Sequence, residues 1–188
     1  MERYAKRPHW ETIEQMDLDK IIRSVPDFPK PGIIFKDITP ILDDPAAFKY
    51  CIDWFCERFA DSGAVKVCAA EARGFMFAAA IGYKMGWGIV PIRKPGKLPW
   101  KTYEESYALE YGTATLHIHQ DAVAPGERVL LIDDLLGTGG TADAMVKLVT
   151  RLGGVVAALG FVIELDFLKG RDMLKDYRVE SLVHVASE

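Results

Sequence analysis

The stretch from Val129 to Ala142 reads Val-Leu-Leu-Ile-Asp-Asp-Leu-Leu-Gly-Thr-Gly-Gly-Thr-Ala, and it constrains the chain more than any other. Val129 to Ile132 have the composition of a strand buried on both faces, the kind found inside a parallel sheet. Asp133 and Asp134 follow, where this strand is expected to end. Gly137, Thr138, Gly139, Gly140 and Thr141 then lead straight into an amphipathic run. A Gly/Thr-rich turn between strand and helix leaves backbone N–H groups free, and the helix N-terminus adds the positive end of its dipole. With the threonine hydroxyls as further donors, the turn is suited to a phosphate. An ionised carboxylate only accepts hydrogen bonds, so the acid pair suits ribose hydroxyls. The plain alternative is a glycine-rich turn in an ordinary α/β domain, but such a turn has no need of two acids, two threonines and three glycines within nine residues.

The spacing excludes the commoner phosphate loops: there is no Gly-x-x-x-x-Gly-Lys-Ser/Thr and no Gly-x-Gly-x-x-Gly after a strand. What remains, an apolar strand followed by Asp-Asp-Leu-Leu-Gly-Thr-Gly-Gly-Thr, resembles the phosphoribosyl-diphosphate (PRPP) loop of the type I phosphoribosyltransferases.

A chain of 188 residues suits one domain with a single substantial core. A net charge of −4 argues against a nucleic-acid surface, where a basic face is expected. Three cysteines, Cys51, Cys56 and Cys68, are an odd number without metal-ligand spacing and read as buried thiols in a reducing compartment. The first thirty residues carry no apolar h-region, and no apolar run reaches the ~18 residues of a membrane span. The expected location is the cytoplasm, with no membrane or nucleic-acid partner.

Residues 1–16 read as an N-terminal extension and 17–188 as the single domain. Thr12 to Gln15 fits a capping box, which predicts a helix from there to about Ser24. Pro26, Pro29, Pro31 and Gly32 make a stiff connector, and Ile33 to Ile38 an apolar strand or extended loop stopped by Thr39-Pro40. Taken alone, Phe35 reads as a core aromatic rather than a site residue. Asp44-Pro45 starts a helix that runs to about Ala60, with Phe48, Cys51, Ile52, Phe55 and Phe59 at helical steps. Val65 to Ala70 reads as a strand and Phe75 to Met85 as a helix closed by Gly86. The turn between them, Glu71 to Gly74, places Arg73 by a helix N-terminus, where it suits either an anion or a nearby carboxylate.

Gly88 to Ile92 is a third short strand. It delivers Arg93, Lys94, Lys97 and Lys101 within nine residues, interleaved with Pro95, Gly96 and Pro99. This is either a solvated basic loop or a mobile lid over an anion. Tyr107–Gly112 and Thr113–His119 predict a hairpin turning near Gly112. Alternation puts His117 and His119 on one face, although a metal pair there lacks a third ligand in sequence. Val155 to Leu165 reads as another buried strand, bent near Gly160, and the remainder as a short helix and an edge strand.

Several of these segments are similar to those of the adenine branch of the type I phosphoribosyltransferases, in the same order. They are Pro26 to Pro40, Arg93 to Pro99, Tyr107 to Gly112 and the phosphate loop. The resemblance implies an α/β fold: an open, mostly parallel sheet flanked by helices, with a small N-terminal hood (25–40) and a flexible lid and hairpin (93–112). It implies transfer of phosphoribosyl from PRPP to adenine, giving AMP and pyrophosphate, in a homodimer that uses Mg²⁺ held by PRPP and water with no direct protein ligand. By the same resemblance Phe35 stacks on the base while the backbone of Ile34 and Lys36 reads its edge. Arg73 faces the pyrophosphate, together with Arg93, Lys94 and Lys97 on the lid. Residues 137–141 hold the 5′-phosphate, and Glu110, with Tyr111 beside it, carries the catalytic proton chemistry. Enzymes for hypoxanthine, guanine, xanthine or orotate share the phosphate loop. A PRPP-sensing regulator of the same fold would need a DNA-binding domain ahead of it, for which the leading ~25 residues are too few and not basic.

Overall fold

The computed structural model describes residues 16–108 and 113–187. In chain order the strands and helices are β1 (Arg23–Pro26), β2 (Ile34–Asp37), α1 (Thr39–Asp43), α2 (Pro45–Arg58), β3 (Lys66–Ala70), α3 (Gly74–Met85), β4 (Gly88–Ile92), β5 (Thr102–Ala108), β6 (Thr113–His119), β7 (Arg128–Leu136), α4 (Gly140–Arg151), β8 (Val155–Leu165) and β9 (Val179–Val185). Asp44 caps α2 as its sequence predicts: one carboxylate oxygen accepts the N–H groups of Ala46 (2.8 Å) and Ala47 (3.1 Å), a contact typically worth about 1 kcal/mol. Gly86 closes α3 in the left-handed region at φ 69°.

Five strands form one parallel sheet in the order β4-β3-β7-β8-β9, and β1-β2 and β5-β6 are separate antiparallel pairs. Neighbouring residues of β7 serve opposite faces. Leu130 and Ile132 pack with α2 and α3, whereas Val129 and Leu131 pack with α4 and the β5-β6 hairpin. A strand buried on both sides needs apolar residues at every position, which is why β7 opens with a continuous run rather than an alternation. Gly160 lets two aromatic rings of α2 and its C-terminal turn rest on the sheet. A Cβ there would lie 2.8 Å from the rim of Phe59 and 3.0 Å from that of Phe55. The register of β8 shifts between Val156 and Ala158, opposite Val129 and Leu130. Among the described residues no helix is long and apolar enough to cross a membrane.

Four expectations are corrected. The helix expected from Thr12 to about Ser24 does not form in its described part. Leu18–Lys20 is one 3₁₀ turn, and Arg23–Pro26 pairs with β2 in the register Ser24↔Lys36, so a tertiary strand pairing takes the place of the expected helix there. Residues 12–15 lie outside the described residues. Thr39-Pro40, expected only to stop a strand, follows the end of β2 at Asp37 and also opens a helix. Proline at the first turn forfeits no helical hydrogen bond, and the Asp37 carboxylate accepts from Thr39 N–H (2.9 Å) and Oγ1 (2.7 Å). Strand β7 does not end before Asp133. The eleven residues of β8 carry the ladder on, with Asp133 opposite Phe161 and Leu136 opposite Glu164. Strand β5 starts at Thr102, five residues before the expected Tyr107, and pairs from Thr102↔His119 to Ala108↔Thr113. Its polar residues conceal a half-buried alternation in which Tyr103, Glu105 and Tyr107 turn inward while Glu104 and Ser106 stay exposed.

Candidate active site

Three segments anticipated from the sequence meet at the C-terminal edge of the parallel sheet, where open α/β sheets bind ligands. The first is the phosphate-suited turn between β7 and α4. Gly139 caps α4 at φ 90°, a conformation that favours glycine. Residues 135–142, together with Tyr107 of the hairpin, line a cavity of about 160 Å³. Thr141 Oγ1 donates to the Tyr107 hydroxyl at 3.1 Å.

The second segment is the acid pair. Asp133 is half-buried, and its Oδ1 accepts the backbone N–H of Asp134 at 2.9 Å. Burial, and then the charge of Asp134 beside it, raise the Asp133 carboxyl well above the ordinary carboxylate range. Asp134 is 4% exposed, and its carboxylate pairs with Arg73 Nε. Gly74, at the start of α3, makes room for Asp133: a Cβ there would lie 2.8 Å from Asp133 Oδ1.

The third is the Glu71–Gly74 turn, whose Glu71–Ala72 peptide is cis. Its two charged residues point to different partners. Arg73 pairs with Asp134 and places its guanidinium carbon 5.4 Å from the centroid of the Phe35 ring. Glu71 takes the start of the basic loop: its Oε2 accepts from Arg93 Nε (2.8 Å) and Nη2 (2.6 Å), and its Oε1 from Lys94 N–H (2.9 Å). Burial would raise the Glu71 carboxyl, but the Lys94 N–H and the Arg93 charge outweigh it and hold the group below its usual value. Arg93 is therefore anchored, while the side chains of Lys94 and Lys97 are exposed.

Phe35 stands on β2, half-buried, edge-on to Phe28 at 5.2 Å between centroids. Ile34 and Lys36 flank it on the same strand, and Lys36 Nζ donates to Ser24 Oγ at 3.0 Å. One continuous line thus runs from Phe35 through Arg73 and Asp134 to Asp133 and the 137–141 turn. His117 is engaged by Thr102 Oγ1 at 3.0 Å. A larger hollow of about 540 Å³ lies away from this line, lined by Trp54, Glu57, Arg58, Ala60, Asp61 and Arg178. Its two arginines are already paired with Asp61 and Glu180, so it is a charge-balanced surface.

A family model described as a phosphoribosyl transferase domain matches residues 37–183. Adenine phosphoribosyltransferases of Solidesulfovibrio magneticus and Thermotoga maritima are 56% and 53% identical to the chain. The alignments cover 91% and 90% of this chain and 100% and 98% of theirs. The chain belongs to the adenine phosphoribosyltransferases. Solved structures of this family superpose closely. The Thermoanaerobacter pseudethanolicus adenine phosphoribosyltransferase has a TM-score of 0.87 at 50% identity, over 89% of this chain and 98% of that one. The Saccharomyces cerevisiae adenine phosphoribosyltransferase, solved with adenine and an imino-altritol bisphosphate, has 0.83 at 37%, over 88% and 96%.

Of the adenine phosphoribosyltransferase residues anticipated from the sequence, Glu110 and Tyr111 lie outside the described residues. Tyr107, Glu71, Gly74 and Gly170, the last packed against the backbone of Gly137 and Gly139, escaped the sequence reading as site-building residues. Tyr107 read as one strand aromatic among several, and Glu71 as part of a charged turn. The two glycines carry no local signal, because what they accommodate is a distant backbone or side chain.

Proposed function

We propose that the chain transfers the 5-phosphoribosyl group of PRPP to adenine, forming AMP and releasing pyrophosphate. The observation that carries this reading is the meeting of an aromatic hood, a cationic turn and a phosphate-suited turn through Phe35, Arg73 and Asp134. In this reading the backbone N–H groups and threonine hydroxyls of residues 137–141 grip the 5′-phosphate at the N-terminus of α4. Asp133 and Asp134 accept from the ribose hydroxyls. Adenine stacks on Phe35, and the backbone of Ile34 and Lys36 reads its edge.

The bond from the anomeric carbon to the pyrophosphate oxygen breaks, and its electron pair leaves with pyrophosphate. The N9–carbon bond forms, and the imidazole proton of adenine is handled by Glu110 with Tyr111 beside it. By analogy with glycoside chemistry the sugar is cationic in the transition state, so negative charge builds on the leaving group. Arg73, with Arg93, Lys94 and Lys97 on the basic loop, supplies the opposing charge, and closure of that loop excludes water. Mg²⁺, when bound with the diphosphate, adds Lewis-acid and template chemistry. Such a hard cation would suit the side-chain oxygens of Asp133, while Asp134 stays paired with Arg73.

We infer further that the chain acts as a homodimer in the cytoplasm. Its three free cysteines are buried, and burial pushes the thiols of Cys51 and Cys56 up to about 12 and about 11. Such thiols are inert and suit a reducing compartment. A steady-state assay of nucleotide formation from PRPP with adenine, hypoxanthine, guanine, xanthine and orotate tests the reading. AMP formation alone is expected, and preference for another base overturns it.

A further inference from the structure

Behind the phosphate-suited turn stands a charged network that the chemistry above does not use. Glu164, near the end of β8, is 4% exposed and carries three donors. These are Arg171 Nε (2.8 Å) and Nη2 (2.5 Å), and Ser181 Oγ (2.6 Å). Arg171 Nη1 also donates to the Val179 carbonyl at 2.9 Å, so one guanidinium spans β8 and β9. His184 Nδ1 lies 2.9 Å from Asp166 Oδ1. Glu164, Asp166 and His184 bring their ligand atoms within 4.8 Å of one another, as in a metal site. Arg171 occupies both oxygens of Glu164, however, so a cation there would face a guanidinium.

What these bonds hold is the segment after β8, two 3₁₀ turns (Asp166–Leu168 and Gly170–Leu174) joined by Lys169 at φ 54°. Gly170, buried at its centre, lies backbone to backbone against the phosphate-suited turn. A Cβ on Gly170 would land on the Gly137 carbonyl oxygen and 2.8 Å from Gly139 N. One on Gly139 would meet the Gly170 oxygen at 2.6 Å. No side chain intervenes, so the position of residues 137–139 follows that of Gly170.

We propose that Arg171 is a positioning residue for the phosphate turn. Locked to Glu164 and Val179, it fixes the Gly170 backbone as the floor on which Gly137 to Gly139 rest, and so aims their N–H groups before a phosphate arrives. The planar fork of arginine is needed, because lysine supplies a point charge without the two-bond orientation. This inference rests on the reading of 137–141 as the 5′-phosphate site.

The test uses the full chain with Arg171→Met, Arg171→Lys and, as a control on the turn itself, Thr141→Val. KM is measured for PRPP and adenine in the forward direction and for AMP and pyrophosphate in reverse, with melting temperature alongside. Arg171→Met is expected to raise KM for PRPP and AMP, which share the 5′-phosphate, by roughly tenfold. Adenine and pyrophosphate should stay within about twofold, with Arg171→Lys between parent and Met. A lower melting temperature with unchanged KM values, or an equal rise for adenine and PRPP, overturns the proposal. Where Arg171→Met does not fold, Arg171→Lys decides, and a PRPP KM within about twofold of the parent overturns it. If Thr141→Val also leaves PRPP and AMP unaffected, the phosphate reading itself has failed, which is a different result from failure of Arg171 alone.

Discussion

Thr141 donates its hydroxyl hydrogen to the phenol oxygen of Tyr107 across 3.1 Å, tying the first turn of α4 to the inward face of β5. The same face of β5 lies along the rest of that helix. The Arg151 guanidinium sits 4.2 Å from the centroid of the Tyr103 ring, and Lys147 Nζ is 3.4 Å from Glu105 Oε1. Every second residue of the strand therefore meets α4, and the hairpin is docked on the helix whose N-terminus faces the phosphate-suited turn. Thr141 joins that turn to the hairpin by a hydrogen bond, and Gly140 lies against Tyr107 and Ala108 beside it. Thr141→Val keeps the volume and removes a hydroxyl whose single hydrogen, given to Tyr107 here, turns to the phosphate when PRPP binds. We expect PRPP binding to weaken by about 1.5–3 kcal/mol, the range for a hydrogen bond to a charged group. The check is KM for PRPP at saturating adenine, and a change below twofold makes Thr141 a residue of helix start alone.

Phe35 is held by Phe28 on its edge and by Arg73 over its ring, yet it is only half-buried. A core phenylalanine would be closed on all sides, as Phe55 and Phe77 are. Phe35→Ala is expected to raise KM for adenine several-fold more than KM for PRPP and to leave the melting temperature nearly unchanged. Truncation of a buried aromatic typically costs about 3–5 kcal/mol. A large fall in melting temperature with equal loss on both substrates would therefore assign Phe35 to the core.

The proposed homodimer has a direct reading by mass. The chain is 21.0 kDa, and sedimentation equilibrium at assay concentration is expected to return twice that value. An active species at the monomer mass removes the dimer.

How much of this was legible in the sequence depends on the range of each interaction. The Asp44 cap, the Gly86 stop and the exact span of β8 were readable because each is decided by neighbours within a few residues. Pairing of Arg23–Pro26 with β2 was not, since it is a contact across the proline-rich turn, beyond the reach of local signals. Strand β5 was hidden by its own polarity, because only α4 reveals which of its residues turn inward. At the site, the residue types of the phosphate-suited turn announced themselves. The partners that shape it, Gly74 under Asp133 and Gly170 under Gly139, did not, as each leaves space for a group far away in the chain. Arg73 had two readings in sequence, an anion or a carboxylate. The structure pairs it with Asp134, and the same placement stations it beside Phe35.

Asp133 yields a prediction whose sign runs against ordinary acid denaturation. Burial, followed by the adjacent Asp134 charge, raises its folded-state pKa above the ordinary value near 3.8. A carboxyl raised on folding binds its proton more tightly in the native state. Its contribution to stability is full below the unfolded value and is lost as pH rises through the folded one. Above the ordinary carboxylate range, ionising Asp133 therefore costs the fold stability, a cost the proposed function accounts for by assigning it to the ribose hydroxyls. Asparagine keeps an oxygen for the Asp134 N–H, which the present carboxylate accepts at 2.9 Å, and removes the charge. Asp133→Asn is expected to raise the melting temperature by a larger margin at pH 8 than at pH 4, while turnover with PRPP falls. This is a trade of stability against function at one atom pair. Calorimetry of both proteins across that pH range checks it. A gain that does not vary with pH would mean that Asp133 does not titrate there, and a loss at pH 8 would mean that its charge is held by a partner.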